Sequence, residues 1–290
     1  MKPAALRGAW PVLVALAMLL ASCGHYVNYT DPTGPRYQGA FAARPDSEPA
    51  LRVVTFNIAF AREIERAISL LQSDERLRDA DLLFLQEMDE PGTERIAAAL
   101  GMHWLYVPAT VHAKTGRDFG NAILSRWPLR DARKIVLPHL ARLARSQRIA
   151  TACTVDIDGA PVRLYSVHAA LPFTVSGRGR REQMQAVIDD AKSGPERTIV
   201  AGDLNSHGLG ECFARAGFAW PSRHVGSTER WFDVDQIFVR GFRLAHPSAI
   251  GAVRDNRGAS DHRPVWAVLE PDPDATAARP TTGAQGIQAR

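Results

Sequence analysis

Cysteine, lysine and long apolar runs are all scarce in this chain of 290 residues. Three cysteines, Cys23, Cys153 and Cys212, are too few for a secreted disulfide scaffold. Cys153 alternates with Ile149, Thr151, Val155 and Ile157, which puts it on the apolar face of a strand as a buried thiol; a bridge to Cys212 stays open. No apolar stretch approaches the roughly 20 residues that a membrane-crossing helix takes, so a polytopic membrane protein is excluded. No fixed-period repeat is present, which excludes a solenoid. Only Lys2, Lys114, Lys134 and Lys192 are lysines among 35 basic residues. The arginine excess suits bidentate phosphate binding, but codon bias in a GC-rich genome is the better account of it. Net charge is mild, +4, and permits an anionic substrate without requiring one. No aromatic run interleaves the basic clusters (Arg142, Arg145 and Arg148; Arg178, Arg180 and Arg181), as a groove for single-stranded nucleic acid would show. Those clusters read either as solvated faces or as a grip on an anionic surface. With 46% hydrophobic and 23% charged residues, the composition is that of an ordinary globular protein.

The N-terminus carries an export signal. Lys2 and Arg7 precede an apolar run of 12 residues from Trp10 to Ala21, which ends in small residues. Leu20-Ala21-Ser22-Cys23 closely resembles the lipobox of bacterial lipoproteins, in which the cysteine becomes the lipidated first residue of the mature chain. The expectation is a signal peptide at 1–22, a lipid on Cys23 and a place in the bacterial cell envelope, on the periplasmic side or the cell surface. Residues 23–50 read as the lipidated cysteine and a linker, and 271–290 as a disordered tail.

Residues 51–270 form one domain in which strand and helix signals alternate. Leu51–Asn57, Leu82–Gln86, Ala122–Leu124, Lys134–Leu137, Ile149–Ile157, Val162–Val167, Thr198–Ala201, Gln236–Val239 and Pro264–Val268 read as strands. Asp158-Gly159 is a hairpin signal. Ile64, Ala67, Ile68 and Leu71 have helical spacing; Thr93–Leu100, capped by Gly101, and Arg181–Ala191 are further helices. The pattern predicts a layered α/β fold with a sheet core.

Polar residues collect at the ends of these strands. Asn57 ends the first, Gln86-Glu87 the second, His168 follows Leu164–Val167, and Asp203 and Asn205 follow Thr198–Ala201. Asp235 opens Gln236–Val239, and Asp261-His262 precede the last strand. Taken singly, each is a turn former, a helix cap or a solvated side chain. Together they supply oxygen ligands for a hard cation and two imidazoles for proton transfer.

This ordered series resembles the endonuclease/exonuclease/phosphatase superfamily. The matching stretches are Thr55-Phe56-Asn57, Leu85-Gln86-Glu87, Gly120–Arg126, Ser166-Val167-His168, Gly202-Asp203-Leu204-Asn205, Asp235–Phe238 and Ser260-Asp261-His262. The resemblance implies a four-layer α/β sandwich of two packed, mostly antiparallel sheets flanked by helices. It also implies hydrolysis of a phosphoester with Mg2+ or Mn2+. By the same resemblance Glu87 is the principal metal ligand, with Asn57 and Asp261 beside it. His262 is the general base and Asp235 orients it. Asp203 and Asn205 position the nucleophile and the scissile phosphate, His168 stabilises phosphate oxygens, and Arg148 contacts phosphate. Many nuclease members carry a tyrosine just before the Gly120–Arg126 strand. Here Lys114–Phe119 holds none, and Arg117 is a candidate substitute.

The expected protein is therefore a monomeric, membrane-tethered phosphodiesterase acting on nucleic acid or on phospholipid or sphingomyelin headgroups. The alternatives are a catalytically inactive envelope binding module, which a lost Glu, Asp or His would mark, and a small-molecule phosphomonoesterase.

Overall fold

A computed structural model describes residues 27–41, 50–113 and 115–274. The expected signal peptide, Cys23 and nearly all of the expected tail lie outside the described residues. Two sheets face each other. The first runs β1 (Val27–Asn28), β5 (His103–Val111), β6 (Asp118–Ser125), β4 (Leu82–Met88), β3 (Leu51–Asn57), β14 (Val265–Pro271), β12 (Phe242–Leu244). In addition, β2 (Tyr37–Ala40) pairs with β5, and β13 (Ile250–Ala252) with β14. The second runs β11 (Asp235–Arg240), β10 (Arg197–Asp203), β9 (Ala160–His168), β8 (Ile149–Ile157), β7 (Arg130–Val136). Each sheet is antiparallel apart from one parallel pair, β3–β4 in the first and β9–β10 in the second.

Strands covered on both faces read as nearly continuous apolar runs, and the alternation within them sorts the layers. Leu51, Val53, Leu82, Phe84, Leu164 and Ile199 point between the sheets. The intervening Val54, Phe56, Leu83 and Leu85 point outward onto α1 (Ile64–Ser73) and α2 (Glu90–Leu100). On the far side, Ala152, Tyr165, Val200 and Phe238 pack under α3 (Gly177–Lys192) and α4 (Gly210–Arg215). The result is the expected four-layer sandwich. The buried members of all three clusters fall between Leu51 and Leu269.

Caps set the helix boundaries. Asp89 accepts a hydrogen bond from the Gly92 N–H, so α2 starts at Glu90, ahead of the expected Thr93. Ser176 caps Gly179 in the same way, and α3 starts at Gly177 despite its two glycines. Five strands lie outside the expected set, β12 and β13 among them. Within the expected 23–50 linker, Val27–Asn28 and Tyr37–Ala40 are strands on β5. β5 itself was not foreseen: Pro108 interrupts its sequence signal, and the ladder to β6 accommodates it with a register shift between Pro108 and Thr110. Cys153 and Cys212 are both free, and Cys153 is buried between the sheets.

Candidate active site

The alternation that builds the core also builds the site. The inward row of β3 reads Leu51, Val53, Thr55, Asn57, turning from apolar to polar at one end. The inward row of β9 ends in Ser166 and His168, and that of β10 in Asp203, while β11 opens with Asp235. Register brings these ends together. The parallel pairs place Asn57 beside Gln86 and Asp203 beside His168. The antiparallel β11 sets Asp235 opposite Asp203. Antiparallel β14 aligns Val265 with Thr55, which returns Asp261 and His262 to the same rim. Arg148 immediately precedes β8, whose Ala150 pairs with Val167 of β9.

Glu87 follows Gln86, so a regular strand would turn the two side chains to opposite faces. A register shift between Leu85 and Met88, with Glu87 in the left-handed region at φ +58°, re-aims it. Gly202 has no room for a side chain: a Cβ there would stand 2.0 Å from the Val167 carbonyl oxygen, and its φ is +150°. The glycine thus lets β10 lie close enough to β9 for Asp203 to reach His168.

Asp203 is the hub. Its Oδ2 accepts from Asn57 Nδ2 at 3.1 Å and lies 3.5 Å from His168 Nε2 and 3.9 Å from His262 Nε2. Its Oδ1 accepts from the Asn205 N–H at 2.7 Å. Burial pushes its carboxyl up to about 7, reinforced by Asp235 and opposed by His262 and two hydrogen bonds. His262 Nδ1 and Asp235 Oδ2 are 2.8 Å apart. Burial alone would lower the His262 imidazole, but the charge and hydrogen bond of Asp235, with Asp203 and Asp261, carry it up to about 10. His168 is held well below the ordinary histidine value by burial, by Arg148 and by His262, so it is a neutral imidazole. Arg148 Nη1 lies 2.9 and 3.0 Å from its two ring nitrogens. Glu87 Oε1 is 3.9 Å from His168 Nε2, and burial raises its carboxyl against the opposing charge of Arg148.

Every residue expected at the site reaches this rim. Asp261 is exposed there and acts electrostatically on both Glu87 and His262. The Asn205 amide group donates to the Ala169 carbonyl at 3.1 Å. Arg117 is a different case: it pairs with Asp89, the cap of α2. Among the basic clusters, Arg180 reaches the Asn205 carbonyl at 3.4 Å, and Arg178 pairs with Glu182 at 2.8 Å.

Sequence reading assigned no role to the supports. Gln86 donates to Ser166 Oγ at 3.0 Å, and Asn121 to the Ile149 and Ser166 carbonyls, forming a polar seam between the sheets. Asn256 donates to the Ser260 and His262 carbonyls, and Ser260 Oγ donates to the Asn57 carbonyl at 2.6 Å, tying the last loop to β3. Gln86, Asn121 and Ser166 were legible in principle, as polar residues on inward rows. Asn256 carries no such signal. A cavity of about 170 Å³ opens beside Glu87 and Arg148, walled by Phe60, His112, Phe119 and Leu171.

Asp203, Asp235 and His262 each bring one ligand atom within 4.8 Å of the others, so this corner of the rim can hold a cation. The donor chemistry fits one more broadly: Glu87, Asp203 and Asp235 are acids packed together at low exposure, and Asp235 Oδ1 is buried with no hydrogen-bond partner.

A four-layer α/β sandwich with acids, amides and histidines joined at one rim defines the class. The chain belongs to the Endonuclease/Exonuclease/phosphatase family, whose sequence profile matches residues 54–262. An endonuclease/exonuclease/phosphatase from Beutenbergia cavernae DSM 12333 is 20% identical with a TM-score of 0.62, over 77% of this chain and 72% of that one. TDP2 of D. rerio, solved with a single-strand DNA product, is 16% identical with a TM-score of 0.60, over 77% of this chain and all of that one. Sphingomyelinase C from Streptomyces griseocarneus is 19% identical with a TM-score of 0.55, over 78% of this chain and all of that one. At these identities the likeness is one of fold. No curated protein matches the chain.

Proposed function

We propose that the protein is a divalent-metal-dependent phosphodiesterase tethered to the bacterial envelope by a lipid on Cys23. The observation that carries the hydrolase reading is the single connected network in which Asp203 meets Asn57, His168 and His262 while His262 holds Asp235. Family membership and the phosphoester-cleaving relatives support it. The tether rests on Leu20-Ala21-Ser22-Cys23.

Glu87, with Asn57 and Asp261, is the set that would hold Mg2+ or Mn2+, the hard cations that oxygen donors suit. When bound, such an ion offsets the phosphate's negative charge. The remaining work falls to the chain. Arg148 and the neutral His168 donate to non-bridging phosphate oxygens. Asn205 and Asp203 position the attacking water. In its deprotonated form the His262–Asp203 pair takes the water's proton, so turnover should rise with pH as these two groups release their own, and Asp235 fixes the imidazole with Nδ1 toward itself and Nε2 toward the substrate. The substrate is a nucleic-acid or lipid-headgroup phosphodiester.

The test is hydrolysis of bis-p-nitrophenyl phosphate, plasmid DNA and labelled phospholipid vesicles with Mg2+. Activity should vanish in EDTA and return with Mg2+ or Mn2+; full turnover in chelator would remove the cation from the reading. In cells, Cys23→Ser should leave catalysis intact and shift the protein out of the detergent phase. An unchanged detergent-phase signal would remove the lipid.

A further inference from the structure

Seven large apolar side chains stand exposed among the described residues, and five of them occupy loops bordering the site: Leu143, Leu171, Phe173, Trp231 and Phe232. Leu143 lies on the loop that leads to Arg148, and Leu171 and Phe173 on the loop after His168. Trp231 and Phe232 lie in the turn before Asp235. Phe173 is 98% exposed, and Leu143 and Trp231 are each 89% exposed. Phe173 also holds a left-handed backbone at φ +69°, where a bulky side chain is strained. Neither burial nor backbone comfort explains an aromatic at that position. The Arg142 N–H donates to the Thr174 carbonyl at 2.9 Å, which joins the first two loops, and the Arg142 and Arg145 side chains are exposed beside the apolar tips.

The N-terminal strand meets the same rim. Asn28 donates to the Arg145 carbonyl at 2.7 Å and accepts from the Gln147 N–H at 2.8 Å. Cys23 precedes Val27 by four positions in the sequence, so a lipid there would tether the chain next to this strand.

We propose that this rim is a docking surface for an anionic lipid bilayer, and that the site acts on phosphodiesters of lipid headgroups. Exposed apolar and aromatic tips match the interfacial zone, where Trp and Phe insert shallowly. The neighbouring arginines meet anionic headgroups. The inference rests on the hydrolase and tether readings above and deepens them by naming the substrate class.

The experiment uses the chain from residue 23 onward with Cys23→Ser, which retains every buried member of the three core clusters. Co-sedimentation is measured with vesicles of phosphatidylcholine alone and with 30% phosphatidylglycerol. Binding should require the anionic lipid. Leu143→Ser with Phe173→Ser should weaken it at least tenfold. Arg142→Ala with Arg145→Ala should weaken it by about fivefold per arginine removed. In all variants circular dichroism and hydrolysis of soluble bis-p-nitrophenyl phosphate should match the parent, while phospholipid hydrolysis on vesicles falls in step with binding. Vesicle binding that neither pair changes overturns the proposal. So does a pair that weakens single-stranded oligonucleotide binding while sparing vesicles. A parent chain that binds anionic vesicles but hydrolyses no phosphodiester sinks the hydrolase reading and leaves the docking surface standing.

Discussion

Asp203 is placed against its own charge. It is buried, faces Asp235, and holds its proton up to about 7. Its neighbour His262 stays protonated up to about 10. Both folded groups keep a proton that the unfolded chain has released, so the effect on stability has one sign. The His262 contribution is complete below its unfolded value of 6.5 and is lost as pH rises through about 10. The Asp203 contribution is complete below its unfolded value of 3.8 and is lost as pH rises through about 7. His168, held low, acts oppositely, and only below 6.5. Metal-free protein should therefore lose on the order of a few kcal/mol between pH 6.5 and 10. Urea midpoints in EDTA across that range measure it, and a flat profile would show that the two protons are not held this way. Catalysis adds a second expectation: His262→Ala should lower kcat by about 10²–10⁴. Asp235→Asn should lower it less, because the imidazole remains in place. A folded His262→Ala enzyme at near-parental rate would leave Asp203 as the sole proton acceptor.

At the scale of elements, one irregularity per sheet sets the geometry. The β4 bulge turns Glu87 inward beside Gln86, and Gly202 lets β10 close on β9. Gly202→Ala forces a Cβ to 2.0 Å from a backbone oxygen at a φ that L-residues avoid. It should destabilise by about 3 kcal/mol or more and reduce activity in whatever fraction stays folded, read by denaturation and kcat together. These elements also mark how far the sequence could be read. Strand ends bearing Asn57, Glu87, His168, Asp203 and Asp235 were visible, because buried strands are apolar runs and a polar residue at their close stands out. β5 was not, since Pro108 breaks its run and the compensating bulge depends on a partner strand. β1 and β2 are too short to show a period, and pairing to β5 alone defines them. Arg117 was a candidate substitute for the missing tyrosine, but Asp89, 28 residues away in sequence, draws it off. Asn256 matters only through the loop it clamps, a relation that no local pattern encodes.

For the whole molecule, the decisive fact is that neither sheet contains the site. Asn57, Glu87 and His262 come with the first sheet, and His168, Asp203 and Asp235 with the second. Between them run Asn57–Asp203 at 3.1 Å, His262–Asp235 at 2.8 Å and Gln86–Ser166 at 3.0 Å, above an interior of interleaved aliphatic side chains. Apolar packing tolerates a small slide of one slab over the other, whereas hydrogen bonds of that length do not. The active centre thus works as a vernier, two graduated scales whose marks coincide at one offset. Turnover should fade at urea concentrations below those that change far-ultraviolet circular dichroism, and Phe84→Ala, which loosens the sliding plane beneath Gln86, should widen that gap. Coincident transitions would mean that the slabs part only when they melt. If they part earlier, loss of alignment rather than loss of structure is how the proposed activity first fails.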